Sequence, residues 1–193
     1  MAQQASFLEE LMSAGRGVLG LLVGDKRAGG FFDFSQRGLA GSFIAVLGVA
    51  AVDAILPLIL SGKHDSIAAS MLQLAVIYGF QLAFTALVLR QIKRTDALVP
   101  YIVSYNWLNF FATLILSAIY AAGAGASFVI VFIGIAAIVV EVNIARLVMT
   151  LAPLQIAFMI GAQIIGVVIG LMLLLLLFPL PPDVTAQLTT AGL

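Results

Sequence analysis

Residues Phe128 to Leu180 read FVIVFIGIAAIVVEVNIARLVMTLAPLQIAFMIGAQIIGVVIGLMLLLLLFPL. How this stretch divides decides the fold. As a single helix it would be about 80 Å long at 1.5 Å per residue, against a hydrocarbon core of about 30 Å. Pro153 offers the break, because proline has no N–H to continue a helix and its ring crowds the preceding turn. The stretch is therefore read as a hairpin of two membrane spans, Phe128–Thr150 and Leu154–Leu180.

Three more spans precede it: Leu39–Leu60, Ile67–Leu89 and Val99–Ala121. The breaks are short and polar or small: SGKHDS (61–66), RQIKRTD (90–96) and AGAGAS (122–127). Pro100 suits the first turn of the third span. In lipid each span must be a helix, since no water is present to satisfy the backbone. PLPPD (179–183) ends the last span and leaves 181–193 as a short extracytoplasmic tail. The expected fold is an all-α integral membrane protein, a five-helix transmembrane domain over 39–180 behind a leader over 1–38.

Composition agrees. Hydrophobic residues make up 63% of the 193-residue chain and charged residues 9%, where soluble domains carry about 25% charge. Net charge is zero, so no nucleic-acid partner is expected. There is no cysteine, and the lone His64 cannot build a metal site. No GxSxG, HExxH, Walker loop or dinucleotide fingerprint is present. The expectation is a protein with no enzymatic activity and no cofactor. No cleavable leader is read in the first thirty residues, which contain Glu9, Glu10 and Asp25.

Orientation follows from the basic residues. With the N-terminus inside, the cytoplasmic side holds Arg16, Lys26, Arg27, Arg37, Arg90, Lys93, Arg94 and Arg146, and the outside holds Lys63 alone. This predicts N-in, C-out, and the expected home is a bacterial cytoplasmic (inner) membrane.

Before the first span, Phe7, Leu8, Leu11, Met12, Val18, Leu19, Leu22 and Val23 recur at helical spacing. Ser6 to Gly24 is read as an amphipathic helix lying in the cytoplasmic interface, weakened by glycines at 15, 17, 20 and 24. Its partner is either the lipid bilayer, through Phe7, Leu8, Leu11, Met12, Leu19 and Leu22, or another protein. Phe31, Phe32 and Phe34 are expected as interfacial anchors.

Five polar residues fall near one depth by residue count: Gln81, Asn106, Asn109, Glu141 and Gln163. An intramembrane carboxylate costs a few kcal/mol, so Glu141 is expected to face the bundle, over Gly134, Ala137 and Ala145, and to accept amide N–H bonds or enter neutral. Arg146 is expected to snorkel to the surface, not to pair with it. Asp53 lies four residues before Pro57, which frees the carbonyl of residue 53. It is read either as part of a polar spot there or as reaching the outer surface near Lys63 or His64. Asn106, Asn109, Thr113, Ser117 and Tyr120 form a stripe on the third span, with Gln73, Gln81 and Thr85 on the second. These serve either as interhelical glue or as the lining of a path. Gly166 and Gly170, with Ala162, form a small-residue face suited to packing within the chain or to a homo-oligomer.

The leader, FFDFSQRGL before span one, five spans, and LVPYIVSYNW opening span three together resemble the bacterial members of the Yip1-like family of small five-span membrane proteins. The resemblance runs from Phe31 to Leu176 and implies the five-span helical order. The short Asp-Leu-Tyr-type signature of eukaryotic relatives is not legible, and no functional residue is carried over. Two functions follow as expectations: a scaffold or membrane-organising partner, or a small transporter or channel component built on the polar cluster around Glu141.

Overall fold

Helix, with no strand, accounts for the regular structure in a computed structural model of the chain, which describes residues 6–61, 67–122 and 127–178. Six α-helices run α1 (Phe7–Leu22), α2 (Gln36–Ser61), α3 (Ile67–Gln91), α4 (Leu98–Ala121), α5 (Ser127–Asn143) and α6 (Pro153–Leu177). Helices α2 to α6 are long and apolar enough to cross a membrane. The chain is thus an integral membrane protein, with five helices of spanning length among the described residues. The C-terminal end of the last predicted span, the tail and the loop bearing Lys63 and His64 lie outside the described residues.

The hairpin at Pro153 is present, and its break is wider than one proline. α5 loosens into a π turn over Ile144–Val148, and Met149 N–H donates to Ile144 O at 2.9 Å. Leu151 N–H reaches back to Ala145 O at 3.0 Å, around Thr150 at φ 55°. Arg94, from the α3–α4 turn, closes the exposed carbonyls. Its Nη2 donates to Met149 O at 2.7 Å, placing a cation where a helix C-terminus concentrates negative charge.

Two pairings organise the bundle. α3 packs antiparallel on α6, where Gly166 and Gly170 let the backbones approach beside Phe80, Phe84 and Ile77. The small-residue face therefore serves packing within the chain. α2 packs parallel on α4, in a register fixed by two hydrogen bonds of equal sequence offset: Asn106 Nδ2 to Ser42 Oγ at 3.0 Å and Ser117 Oγ to Asp53 Oδ1 at 3.0 Å. α4 sits centrally, touching α2, α3, α5 and α1.

Helix α1 starts on a capping box. Glu9 N–H donates to Ser6 Oγ, and Ser6 N–H to Glu9 Oε2. It docks against the bundle instead of lying apart from it. Ala14 and Leu21 are fully buried, Phe7 rests 6.2 Å from Trp107 between ring centres, and Gly15 lies under Phe111. Trp107 and Phe111 are nine and thirteen residues into α4, or about 14 and 20 Å along its axis. Three of the four glycines expected to weaken α1 are seats for neighbours: a Cβ at Gly17 would fall 2.6 Å from the Phe32 ring, and at Gly15 and Gly20 it would crowd Phe111 and Ala28. Of the expected interfacial anchors, Phe32 is buried and Phe34 packs against the core, while Phe31 is half-buried beside the pocket of Glu9 and Glu10. Leu11 also packs inward, while Leu8, Met12 and Leu19 of the expected membrane face stay exposed.

The tight core occupies the half of the bundle nearest the basic residues, around Tyr101, Trp107, Ile144, Met149 and Met159. The far half is looser. Phe128, Ile130, Val131, Phe132 and Ile135 of α5 are exposed, and a Cβ at Gly134 would meet nothing. The close packing expected along the Glu141 face is therefore confined to its lower part, at Ala137 and Ala145.

Candidate functional site: a polar row on the central helix

The physical origin of the site lies in the spacing of α4. Tyr101, Tyr105, Asn109, Thr113 and Ser117 recur at every fourth position. Four residues turn a helix by about 400°, so each step advances the row by about 40° around the axis. Over sixteen residues, about 24 Å, the row winds through about 160°. It therefore faces different neighbours at different depths.

At the basic end it meets α5 and α6. Tyr101 OH donates to Glu141 Oε1 at 3.3 Å and accepts from Gln163 Nε2 at 2.7 Å. Gln163 Nε2 also lies 2.9 Å from Thr85 Oγ1, whose hydroxyl donates back to Gln81 O at 2.9 Å. One turn on, the row meets α3. The Tyr105 hydroxyl sits in the fork of the Gln81 amide, 2.7 Å from Nε2 and 2.9 Å from Oε1. The Tyr101 and Tyr105 rings stack at 5.2 Å, and Tyr105 stacks on Tyr78 at 6.3 Å. Tyr78 OH donates to Asn106 Oδ1, and Asn106 is the fully buried amide that reaches Ser42 on α2. At the far end Ser117 meets Asp53.

Between these tiers α2 and α3 part around a cleft of about 400 Å³. Asp53, Tyr78, Gln81, Tyr105, Asn109 and Thr113 supply its polar lining, and Val46, Val49, Ala50, Leu74 and Ile77 most of its apolar wall. The Asn109 amide donates to Tyr105 O of its own helix at 2.8 Å, which leaves its oxygen available to the cleft.

This corrects the expected cluster. Glu141 keeps one of the four amides offered as alternative donors, Gln163, and adds a hydroxyl. Its hydroxyl donor is Tyr101, Gln163 joins it at the same tier, and Gln81, Asn106 and Asn109 lie one or two turns farther along α4 with other partners. The residue count runs the span as uniform helix to Thr150, whereas the α-helix ends at Asn143 and a π turn and a non-helical stretch follow; Glu141 lies opposite Tyr101 and not opposite Asn106. Of the α4 stripe, Asn106 and Ser117 face α2, Asn109 and Thr113 line the cleft, and Tyr120 is largely exposed. Gln73 is exposed. Asp53 joins the polar spot beside Pro57. Arg146 is exposed, as expected. Asn143, the remaining polar residue of VVEVNIAR, fastens α1: its Nδ2 donates to Leu21 O at 2.7 Å.

Tyr78, Tyr101, Tyr105, Ser42, Thr85 and Asn143 carry much of this network. Counting intramembrane amides and carboxylates passes over hydroxyls, although the fourfold spacing of Tyr101, Tyr105 and Asn109 was there to be read.

A second pocket, of about 300 Å³, lies beside α1 and is lined by Glu9, Glu10, Ser13, Asp33 and Arg37. Glu10 Oε1 is shut off from solvent without a hydrogen-bond donor, and burial with Asp33 close by raises its carboxyl above the ordinary range, against the pull of Arg37. Among the described residues no group of His, Cys, Asp and Glu is arranged to hold a metal ion. Comparisons with family models, curated proteins and solved structures find no match.

Proposed function

We propose that the chain is a non-enzymatic membrane protein that admits a small polar solute into the bilayer interior, as a transporter or channel component. One observation carries this reading: the winding row on α4 runs about 24 Å from the Glu141 tier to the Asp53 tier and opens sideways into a solute-sized cleft. Interhelical glue alone needs no cavity. The basic residues gathered at the Glu141 end support a cytoplasmic N-terminus in a bacterial inner membrane. The resemblance to the Yip1-like family concerns the order of spans and adds no residue to this reading.

The chain has no cysteine, so single-cysteine variants test it without background. Thr113→Cys and Ala50→Cys should react with a charged, membrane-impermeant thiol reagent far faster than lipid-facing Leu114→Cys. Equal, slow labelling at all three positions would mean the cleft is not reached by water, and the reading fails.

A scaffold role keeps one observation in its favour. Leu8, Met12 and Leu19 form an exposed apolar stripe on a docked α1. Met12→Glu should then abolish recovery of a partner while leaving Thr113→Cys labelling intact. Leu11 is unsuited to this test because it packs into the core.

A further inference from the structure

The geometry points to the cleft between α2 and α3 as a binding site for an ammonium group carried on an apolar body. This rests on the solute-path reading and names its ligand class.

Charge comes first. Asp53 is the sole formally charged residue lining the cleft among the described residues, and its side chain is exposed to it. No Lys, Arg or His of the described chain lines the cavity. The basic side chains that are described belong to α1 and its following turn, or to the helix ends around 37, 90–94 and 146, toward the Glu141 end. A carboxylate at membrane depth is costly without a countercharge, and among the described residues none lines the cleft. Ser117 Oγ donates to Oδ1 and orients the group without neutralising it.

The remaining lining selects the kind of cation. The Tyr78 and Tyr105 rings line the cavity and, stacked on one another, add aromatic surface to its wall. The Asn109 and Gln81 amide oxygens offer neutral acceptors for N–H donors. A bare divalent ion is a poor match, because one carboxylate supplies neither the charge nor the oxygen count such ions take. An anion would be repelled by the Asp53 carboxylate, with no cation among the described lining residues to offset it. The wall of Val46, Val49, Ala50, Leu74 and Ile77 suits a hydrocarbon or aryl body, and about 400 Å³ falls within the range of small-molecule sites.

Two sources carry this chemistry: a free amine, or the headgroup of phosphatidylethanolamine entering between α2 and α3. Calorimetry on the purified full chain in mild detergent, with 2-phenylethylammonium against its neutral isostere 2-phenylethanol, tests the class. The ammonium should bind saturably and the alcohol about tenfold or more weaker. Asp53→Asn keeps an acceptor for Ser117 and should bring the two ligands level. Equal binding of both by the unaltered chain would overturn the proposal, with no need of the variant. So would an Asp53→Asn protein, folded by circular dichroism, that keeps the preference. In nanodiscs, competition by phosphatidylethanolamine but not by phosphatidylglycerol identifies the headgroup as the occupant, and absence of competition identifies the free amine. Thr113→Cys labelling reads access regardless of charge. Labelled cysteine with no ammonium preference therefore defeats this inference alone, whereas unlabelled cysteine defeats the solute path beneath it.

Discussion

Gly166 and Gly170 occupy one face of α6, one turn apart, and the packing separates them sharply. A Cβ at Gly166 would stand 3.0 Å from Phe80 O and 3.0 Å from Phe84 Cδ2. At Gly170 the nearest atoms are Phe80 Cδ2 at 3.5 Å and Ile77 Cα at 3.6 Å, which is ordinary contact. Gly166→Ala must push a helix backbone, not just a side chain, by a few tenths of an ångström, and overpacking of this kind costs about 1–3 kcal/mol. Gly170→Ala needs no such shift. Both variants gain the same helix-propensity term of about 1 kcal/mol, so it cancels in the comparison. Gly170→Ala should thus be neutral or stabilising, and Gly166→Ala should lie about 1–3 kcal/mol below it. Unfolding by sodium dodecyl sulfate in mixed micelles measures the difference, with the single buried Trp107 as fluorescent reporter. If the two midpoints coincide, or if Gly170→Ala is the worse variant, the register assigned to the α3–α6 seam is wrong.

Other perturbations report on the remaining joints. Arg94→Met removes the donor to Met149 O from a partly exposed site and should lower stability by about 1 kcal/mol; Arg94→Lys should restore only part, because an ammonium lacks the guanidinium fork that also engages Asp96. Asn143→Ala removes the cross-link from α5 to Leu21 O, which keeps the Gly24 N–H at 3.1 Å, and should cost about 1 kcal/mol, so trypsin should cut after exposed Arg16 several-fold faster while the spans stay intact. Glu10 has a folded-state carboxyl raised by burial, so what it contributes is complete while it is protonated, below the ordinary carboxylate range, and is lost as pH rises through the raised value. The thermal midpoint should therefore fall from acid toward neutral pH in the unaltered chain and much less in Glu10→Gln; a lower midpoint for Glu10→Gln at neutral pH would contradict the burial account.

The spans could be read because their signal is additive: each needs only enough consecutive apolar residues, and the proline at 153 marks the one break that composition hides. The capping box Ser6–Glu9 is local too, but the reading of α1 by its apolar face passed over it. What could not be read was relative depth. Residue counting assumes uniform helices up to the predicted ends, whereas the α-helical part of α5 stops at Asn143 and Glu141 meets Tyr101, five residues before Asn106. The inward packing of Phe32 and Leu11 was also hidden, because an apolar face on α1 looks the same whether lipid or protein covers it. The cleft depends on how α2 and α3 splay, which no single helix encodes.

The fourfold spacing on α4 has a mechanical corollary. A group that stays bonded to this helix while moving through the bilayer follows a screw thread, not a straight rail. It is handed from α5 and α6 to α3 and then to α2 as it advances. Deleting one residue midway along α4 would turn the upper part of the thread by about 100° and sever the last handover, with the first left untouched.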